Sequence, residues 1–375
     1  MEPHSNEPLN RRHFTKKLAG GLGAFALTTS TIGLGALDAC AQASGEKLGI
    51  ALVGLGNYAT NQLAPALQET KNCYLAAIVT GTPEKAEKWK AKYNIPDKNI
   101  YNYDNFDDIK DNPDIDLVYV VLPNSMHMEY SIRAAKAGKD VISEKPMATN
   151  LADAERMVRE IKKTGQNLYI GYRLHYEPYN LEAARIGTEG DFGKVKVFEG
   201  SFGFKIGDPT QWRLNKELAG GGPLMDVGIY VIQAARYCTG EEPIAITAQE
   251  YKTDPVKFAQ VDETIFWQME FPSGAVANCS TTYASNIQRL FLSCENGYVD
   301  LSPVYGYGGI GGKTHKKTLE LPAVNQQALH MDGIAYSIIH GTKANNVSGA
   351  EGLRDMQVID AIYRAIESKG RIEIG

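Results

Sequence analysis

The feature that most constrains this chain is a short apolar run that leads directly into a glycine-rich turn. Residues 48–53, Leu-Gly-Ile-Ala-Leu-Val, predict a buried strand, and residues 54–59, Gly-Leu-Gly-Asn-Tyr-Ala, follow without a break. The first glycine permits a tight bend, the second lets backbone approach a pyrophosphate, and the small alanine lets the next helix pack closely. That helix, predicted over residues 60–69, offers free N–H groups to the phosphates. The residues predicted to line this dinucleotide site are Gly54, Gly56, Asn57, Tyr58 and Ala59.

The segment after the second predicted strand, residues 75–79, indicates which dinucleotide would bind. An acidic residue at this point binds the ribose diol of NAD and repels the extra phosphate of NADP. Here the hydroxyl groups of Thr80 and Thr82 follow the strand, then Lys85, and no acid stands at the tip itself. The sequence therefore favours NADP. The alternative is that Lys85 is only a solvated residue of the helix predicted over residues 83–93.

Two later strand ends carry unusual polar residues. Residues 116–121 and 140–143 predict strands on either side of a helix over 126–137, which is the alternation of a doubly wound parallel sheet. Proline stops both strands, in the turns 122–127 and 143–146. Because ligands bind at the carboxyl edge of such a sheet, these turns are predicted to line the crevice over the nicotinamide. The residues concerned are Pro123, Asn124, His127, Glu144 and Lys145.

The second half of the chain has a different pattern. Alternating apolar and polar residues with short turns between them predict long antiparallel strands. A helix is predicted over residues 224–237, and its i, i+4 spacing puts Asp226 and Tyr230 on one face. The predicted strands are 195–204, 244–251, 264–271, 275–283 and 289–294.

The order of four motifs resembles that of the Gfo/Idh/MocA oxidoreductases. They are the Gly-x-Gly-x-x-Ala turn, Pro-Asn-x-x-His at 123–127, Glu-Lys-Pro at 144–146, and the segment 220–230 that ends in Tyr230, where most members carry histidine. With segments 82–85, 100–106, 171–178 and 211–214, they make the chain most similar to the glucose-fructose oxidoreductases of that family. The resemblance implies an α/β fold: an N-terminal Rossmann doubly wound parallel sheet, then a C-terminal α+β domain with a large, mostly antiparallel open sheet. It also implies a homo-oligomer formed through that open sheet.

The resemblance further implies hydride transfer from the anomeric carbon of an aldose to NADP, giving a lactone, with return of the hydride to a second carbonyl sugar. Such oxidation needs a hydride acceptor and a base. Tyr230 is predicted as the acid/base, Lys145 as the ammonium that favours its phenolate, and Asp226 as the partner that orients Lys145 or a sugar hydroxyl. The residues predicted to bind the substrate are Lys145, Arg173, Tyr176, Arg213, Asp226 and Tyr230.

Plainer interpretations of these residues stay open. Tyr230 fits a core aromatic, Lys145 an exposed residue beyond its strand, and Asp226 a carboxylate at a helix start. His127 fits the cap of a turn, and Arg173 a structural ion pair. Two other functions also remain: an NAD-dependent glycosidase of the same fold, whose Thr-His-Gly type segment is replaced here by residues 227–230, and a non-catalytic sugar-binding relative.

The first 43 residues have the layout of an export signal. Asn-Arg-Arg-His-Phe-Thr-Lys-Lys at 10–17 precedes an uncharged stretch at 18–37, which resembles a twin-arginine signal and predicts a periplasmic protein with no membrane span in the mature chain. Cleavage after Ala43 fits the small residues there; lipoprotein processing at Cys40 fits less well, and an uncleaved anchor is the alternative. The predicted divisions are this signal at 1–43, an NADP-binding Rossmann domain at 44–170, a substrate and oligomerisation domain at 171–345, and a C-terminal helix that packs back on the body at 346–375.

Composition excludes several other classes of protein. With 43% hydrophobic and 22% charged residues the chain is an ordinary globular one, and its net charge of -5 argues against a nucleic-acid partner. Its five cysteines never occur in Cys-x-x-Cys or paired-histidine spacing, so we expect buried thiols and no metal site. Residues 44–47 are too few for the long arm that retains NADP in glucose-fructose oxidoreductase, which leaves the means of cofactor retention open.

Overall fold

Six parallel strands form the first sheet of the computed structural model, which describes residues 47–374. Every residue of the first strand after Leu48 is buried, as expected for a parallel strand covered on both faces. In order across the sheet the strands are β3 (Ile100–Tyr101), β2 (Cys73–Val79), β1 (Leu48–Val53), β4 (Leu117–Val120), β5 (Asp140–Ser143) and β6 (Leu168–Ile170). The strand order reverses between β1 and β4, and ligands bind at the carboxyl ends of the strands at such a switch point.

Four helices connect these strands. They are α1 (a π turn, Ala59–Leu63, continued by Ala64–Ala66), α2 (Pro83–Tyr93), α3 (His127–Lys136) and α4 (Leu151–Thr164). The helix predicted over residues 60–69 is present, but it opens with a π turn and ends at Ala66. Pro65 has no N–H to donate to the carbonyl of Asn61, and the backbone N–H of Ala64 instead reaches Ala59.

Eight further strands in the described residues form a second sheet. Of its neighbouring pairs, β7 and β10 run parallel and the others are antiparallel. Along β9 the residues Ile265, Trp267 and Met269 are buried and those between them are not, so one face packs inward and the other is open. In order across the sheet the strands are β13 (Gly312–Thr314), β12 (Gly297–Leu301), β11 (Ile287–Cys294), β7 (Val195–Gly203), β10 (Val276–Thr282), β9 (Thr264–Glu270), β8 (Ala245–Tyr251) and β14 (Ile372–Glu373).

Helix α7 lies against the inner side of this sheet and carries the residues of interest. It begins with a π turn, Leu224–Gly228, continues as Ile229–Thr239, and packs on β7 and β10. The other helices of the second half are α5 (Pro178–Glu189), α6 (Lys216–Ala219), α8 (Gln326–Ile339) and α9 (Gly349–Ser368). Helix α9 contacts both α4 and β8, so the C-terminal segment touches the two halves. The fold class is thereby confirmed, whereas the domain boundaries stay a prediction.

A buried charged cluster ties α7 to α9. The guanidinium of Arg236, which is fully buried, bonds Asp355 at 2.5 Å and Glu351 at 3.0 Å. The hydroxyl of Tyr172, just after β6, donates to the same Asp355 at 2.6 Å. A buried ion pair of this kind is costly to break, since removing one partner leaves a buried charge. Within residues 47–374 we find no helix with the length and apolar character needed to cross a membrane.

Candidate active site

The glycine-rich turn has the geometry that a dinucleotide requires. Gly54 has a φ of 94°, and a Cβ there would lie 2.6 Å from the carbonyl oxygen of Val121, so the turn runs against β4. A Cβ at Gly56 would meet no atom within 4 Å, which leaves open space beside the start of α1. Ala59 is fully buried against the strand. A pyrophosphate-binding turn needs a tight bend, open space for the phosphates and close packing of the helix on the strand. Gly54, Gly56 and Ala59 meet these three needs, so the turn fits the cofactor.

At the end of β2 the structure brings hydroxyl groups and no carboxylate to the tip of the strand. Thr80 is buried, and its hydroxyl accepts the backbone N–H of Thr82 at 3.2 Å. Thr82 precedes the first residue of α2. Lys85 is exposed on that helix and makes no ion pair within the described residues. A cation at this edge is therefore available to a phosphate.

The Pro123–Asn124 turn is held to its surroundings by its own polar groups. The side-chain amide of Asn124, which is buried, donates to the carbonyl of Ala219 at 2.8 Å and so joins this turn to α6. The two ring nitrogens of His127 lie 2.8 Å from the carbonyls of Leu122 and Pro146. Burial lowers the pKa of His127, although both carbonyls favour the charged ring. His127 thus links the two proline turns, and its part in cofactor binding stays a prediction.

Glu144 is a buried carboxyl group at the end of β5. It accepts from the hydroxyl of Tyr119 at 2.6 Å and from the backbone N–H of Lys145 at 3.2 Å. Burial raises the pKa of Glu144, and the contacts with Tyr119 and Lys145 offset this only in part. A Cβ at Gly171 would lie 2.5 Å from the Glu144 carboxyl, so this glycine leaves the room that the carboxyl occupies.

The next residue, Lys145, joins the first sheet to α7. Its Nζ donates to Oδ1 of Asp226 at 3.1 Å and also to the backbone carbonyl of Asp226. The same nitrogen lies 5.0 Å from the ring centroid of Tyr230. Burial lowers the pKa of Lys145, but the charges of Asp226, Tyr230 and Glu144 outweigh it, so the net shift is upward and the ammonium form is favoured.

The carboxylate of Asp226 has three side-chain donors. Besides Lys145, its Oδ2 accepts from Nε of Arg213 at 3.0 Å and from the hydroxyl of Tyr283 at 2.9 Å. Burial raises the pKa of Asp226, yet Lys145 and Arg213 hold it well below the usual range. Of the two partners predicted for Asp226, the structure gives it the lysine. Arg213 contacts this carboxylate and the ring of Trp212.

Tyr230 lies between two cations. Its ring, buried in the core, is 5.0 Å from Lys145 Nζ and 5.0 Å from the guanidinium carbon of Arg173. Phe202 packs on it at 5.8 Å between centroids. The predicted helix is present and brings Asp226 and Tyr230 to the same ammonium, although its first turn, which holds Asp226, is a π turn.

The other two residues predicted to bind substrate have mainly protein partners. Arg173 is buried, and its terminal nitrogens donate to the carbonyls of Tyr305 and Gly306 and to the side chain of Gln326. Its Nε is a buried nitrogen with no hydrogen-bond partner in the described residues. Tyr176 packs its ring against His330 and Gly333 of α8. Both residues are thus engaged mainly within the protein, and sugar binding by either stays a prediction.

Three tyrosines of the site had no signal in the sequence analysis. Tyr119 bonds Glu144, Tyr283 bonds Asp226, and Tyr307 packs on Arg173. Their neighbours are distant in sequence, so no local spacing points to them. The four described cysteines are buried and free, and within residues 47–374 no group of three His, Cys, Asp or Glu side chains is placed to hold a metal ion.

Comparison with known proteins identifies the family. Residues 48–172 match the model of an oxidoreductase family with an NAD-binding Rossmann fold, and residues 180–300 match the GFO/IDH/MocA C-terminal domain. The chain belongs to the Gfo/Idh/MocA oxidoreductase family. It is an NAD(P)-dependent enzyme of that family, and the resemblance stated from the motifs is confirmed.

Individual members of the Gfo/Idh/MocA family align over nearly the whole described chain. The aldose-aldose oxidoreductase of Caulobacter crescentus, solved with glycerol, is 43% identical with a TM-score of 0.85, over 88% of this chain and 100% of that one. The D-xylose 1-dehydrogenase [NADP(+)] of Haloarcula marismortui is 28% identical over 335 residues, 86% of this chain and 92% of that protein. A levoglucosan dehydrogenase solved with NADH and levoglucosan, at 22% identity and a TM-score of 0.74, shares the fold.

The open space at Gly56 leads to a prediction about cofactor binding. We expect Gly56→Val to fold but to purify with less than about a tenth of the nicotinamide of the wild type, because its side chain fills the room that the pyrophosphate needs. Cofactor content is measured after acid extraction. Gly54→Ala is the contrasting variant. Residue 54 has a positive φ, and an added Cβ would clash with the carbonyl of Val121, so this variant should lose both cofactor and melting temperature. Full nicotinamide content in Gly56→Val would contradict the assignment of the cradle.

Proposed function

We propose that this chain is an exported, NADP-dependent sugar oxidoreductase that oxidises an aldose at its anomeric carbon to the lactone. The observation that carries the proposal is the contact of Lys145 with both Asp226 and Tyr230 at the carboxyl edge of the dinucleotide sheet. The names of two relatives, aldose-aldose oxidoreductase and D-xylose 1-dehydrogenase, support an aldose as the hydride donor. The first name also supports a second aldose as the acceptor.

The residues around Lys145 suffice for the proton transfers of such a reaction. The nicotinamide, when bound, supplies the hydride acceptor. Tyr230 takes the proton of the anomeric hydroxyl as the hydride leaves the same carbon, so the C–O bond becomes the lactone carbonyl and the aldose loses two electrons. Of the three N–H donors of Lys145, Asp226 accepts two, and the third is available to the substrate hydroxyl. In the return step, Tyr230 gives its proton to the carbonyl oxygen of the second sugar, which is reduced.

The choice of NADP rests on the tip of β2. Thr80 and Thr82 place hydroxyl groups there, and the exposed Lys85 follows one turn into α2. An uncompensated cation attracts the 2′-phosphate, and the missing carboxylate removes the group that would repel it. The D-xylose 1-dehydrogenase of Haloarcula marismortui is named for NADP(+), which supports the same choice.

Export and oligomer formation are proposed on separate grounds. The arginine pair at Arg11 and Arg12 and the uncharged stretch after it support transport of the folded, cofactor-loaded chain to the periplasm; both lie outside the described residues. The open face of the second sheet exposes apolar side chains, which supports a homo-oligomer through that face. These side chains are Tyr251, Phe266, Val276 and Ile287.

The reaction is tested by the absorbance of the protein itself. We expect the chain, purified without added nucleotide, to develop the band of a reduced nicotinamide near about 340 nm when D-glucose or D-xylose is added. The matching lactone should appear in the medium, and a second carbonyl sugar should bleach the band. A protein that shows neither band nor lactone with any aldose of a broad panel would contradict the proposal.

Replacement of Tyr230 tests the acid/base assignment. Tyr230→Phe should lower the rate of cofactor reduction roughly 10²–10⁴-fold, because the proton of the anomeric hydroxyl loses its acceptor. The cofactor content should not change, since the ring that packs on Phe202 is kept. The control is Tyr251→Phe, a change at an exposed tyrosine on the open face. Wild-type rates in Tyr230→Phe would contradict the assignment.

Native mass spectrometry of the periplasmic fraction tests export, cofactor and assembly together. We expect a subunit mass that begins at Ser44, one NADP per subunit and more than one subunit per particle. A chain that keeps residues 1–43 in the cytoplasmic fraction would contradict export, NAD in place of NADP would contradict the cofactor choice, and a monomer would contradict the oligomer.

A further inference from the structure

An unusual glycine-rich segment reaches the site from the second sheet. Residues 305–312, Tyr-Gly-Tyr-Gly-Gly-Ile-Gly-Gly, hold five glycines in eight positions and connect β12 to β13. The three residues of the segment that are not glycine are Tyr305, Tyr307 and Ile310. Added Cβ atoms at Gly308 and Gly309 would meet no atom within 4 Å, so this part of the segment is surrounded by open space. Tyr307 is therefore followed by two glycines that leave the space around them open.

The backbone just before Tyr307 is firmly held. Arg173 donates to the carbonyl of Tyr305 at 2.6 Å and to that of Gly306 at 3.1 Å. Gln326 donates to the same carbonyl of Gly306 at 3.1 Å, and the side-chain oxygen of Gln288 accepts the backbone N–H of Tyr305 at 3.1 Å. These bonds fix the point from which the side chain of Tyr307 extends, so its position costs little further ordering when a ligand binds.

The ring of Tyr307 lies close to residues of the candidate site. The guanidinium of Arg173 is 4.5 Å from its centroid and 5.0 Å from that of Tyr230, so one cation separates the two rings. The ring of Tyr58, from the dinucleotide turn, is 5.9 Å from the Tyr307 ring and inclined to it by 29°. Burial raises the pKa of Tyr307 to about 12, and the positive charges of Arg173 and Lys145 oppose that shift. Tyr307 therefore borders both the cofactor turn and the proposed acid/base.

Despite these contacts, Tyr307 is 54% exposed. About half of the surface of the Tyr307 ring is thus open to a ligand. A fixed aromatic ring near Lys145 and Tyr230 offers apolar surface to a substrate bound there. A sugar ring presents C–H groups on its faces and hydroxyl groups around its rim. The hydroxyl groups have the third N–H of Lys145 as an available donor, whereas the C–H groups need an apolar wall.

We propose that Tyr307 is that wall: its ring packs against the C–H groups of the bound aldose and sets the affinity for the sugar. The proposal rests on the sugar oxidoreductase activity proposed above and adds a substrate-binding residue that no motif of the chain indicates. A role as a clamp on the cofactor, through Tyr58, is the competing outcome of the test.

The test titrates the holoenzyme with D-glucose and with D-xylose and follows reduction of the bound nicotinamide. Tyr307→Ala should raise the half-saturating sugar concentration about tenfold, with the rate at saturation changed by less than about threefold and the cofactor content unchanged. Tyr307→Phe, which keeps the ring, should restore the half-saturating concentration to within about twofold of the wild type. Tyr336→Ala, which removes a tyrosine of similar exposure on α8, is the control and should have no effect.

Each result decides between the interpretations. An unchanged half-saturating concentration in Tyr307→Ala would overturn the proposal, and so would loss of the cofactor from that variant, which would make Tyr307 a clamp. Melting temperatures of the variants show whether they are folded. If the alanine variant is not, Tyr307→Gln, which keeps the length of the side chain but removes the apolar ring, carries the comparison and should raise the half-saturating concentration likewise. If neither sugar reduces the cofactor of the wild type, the proposed activity itself has failed, which distinguishes that failure from failure of the role of Tyr307.

Discussion

The carboxylate of Asp226 is the interaction on which the rest of the site depends. It binds Lys145 from the end of β5, Arg213 from the segment before α6, and Tyr283 from the end of β10. Two cations and a hydroxyl balance this mostly buried charge, so the cluster is complete without solvent. Since the lysine that it holds lies beside Tyr230, the same carboxylate sets the distance between the ammonium and the phenol.

The site lies where the two halves of the described chain meet, and hydrogen bonds from three residues join the halves there. Asn124 bonds the end of α6, Lys145 bonds the start of α7, and Arg173 bonds the glycine-rich segment 305–312. Each of these residues follows a strand of the first sheet, and each partner belongs to the second half. In the proposed reaction, a dinucleotide at the first sheet and a sugar at the second half would act on one set of side chains, which fits a reaction that needs both ligands in register.

The sequence predicts the elements correctly where the information is local. Strand β1, strand β5 and helix α2 have the predicted bounds, because buried runs and a proline at a helix start are readable in one dimension. Helix α1 differs because Pro65 changes the hydrogen bonding of its first turn. Tyr283 and Tyr307 could not be predicted, since their partners are more than 50 residues away and no motif surrounds them.

A crystal structure of the holoprotein with a bound aldose tests the central claim most directly. The account predicts the hydroxyl of Tyr230 within about 2.6–3.2 Å of the anomeric hydroxyl, the usual reach for proton transfer, with Lys145 bound to the same sugar. It also predicts the anomeric carbon beside the hydride-bearing carbon of the nicotinamide. A complex in which another side chain contacts the anomeric hydroxyl, with Tyr230 remote from the sugar, would contradict it.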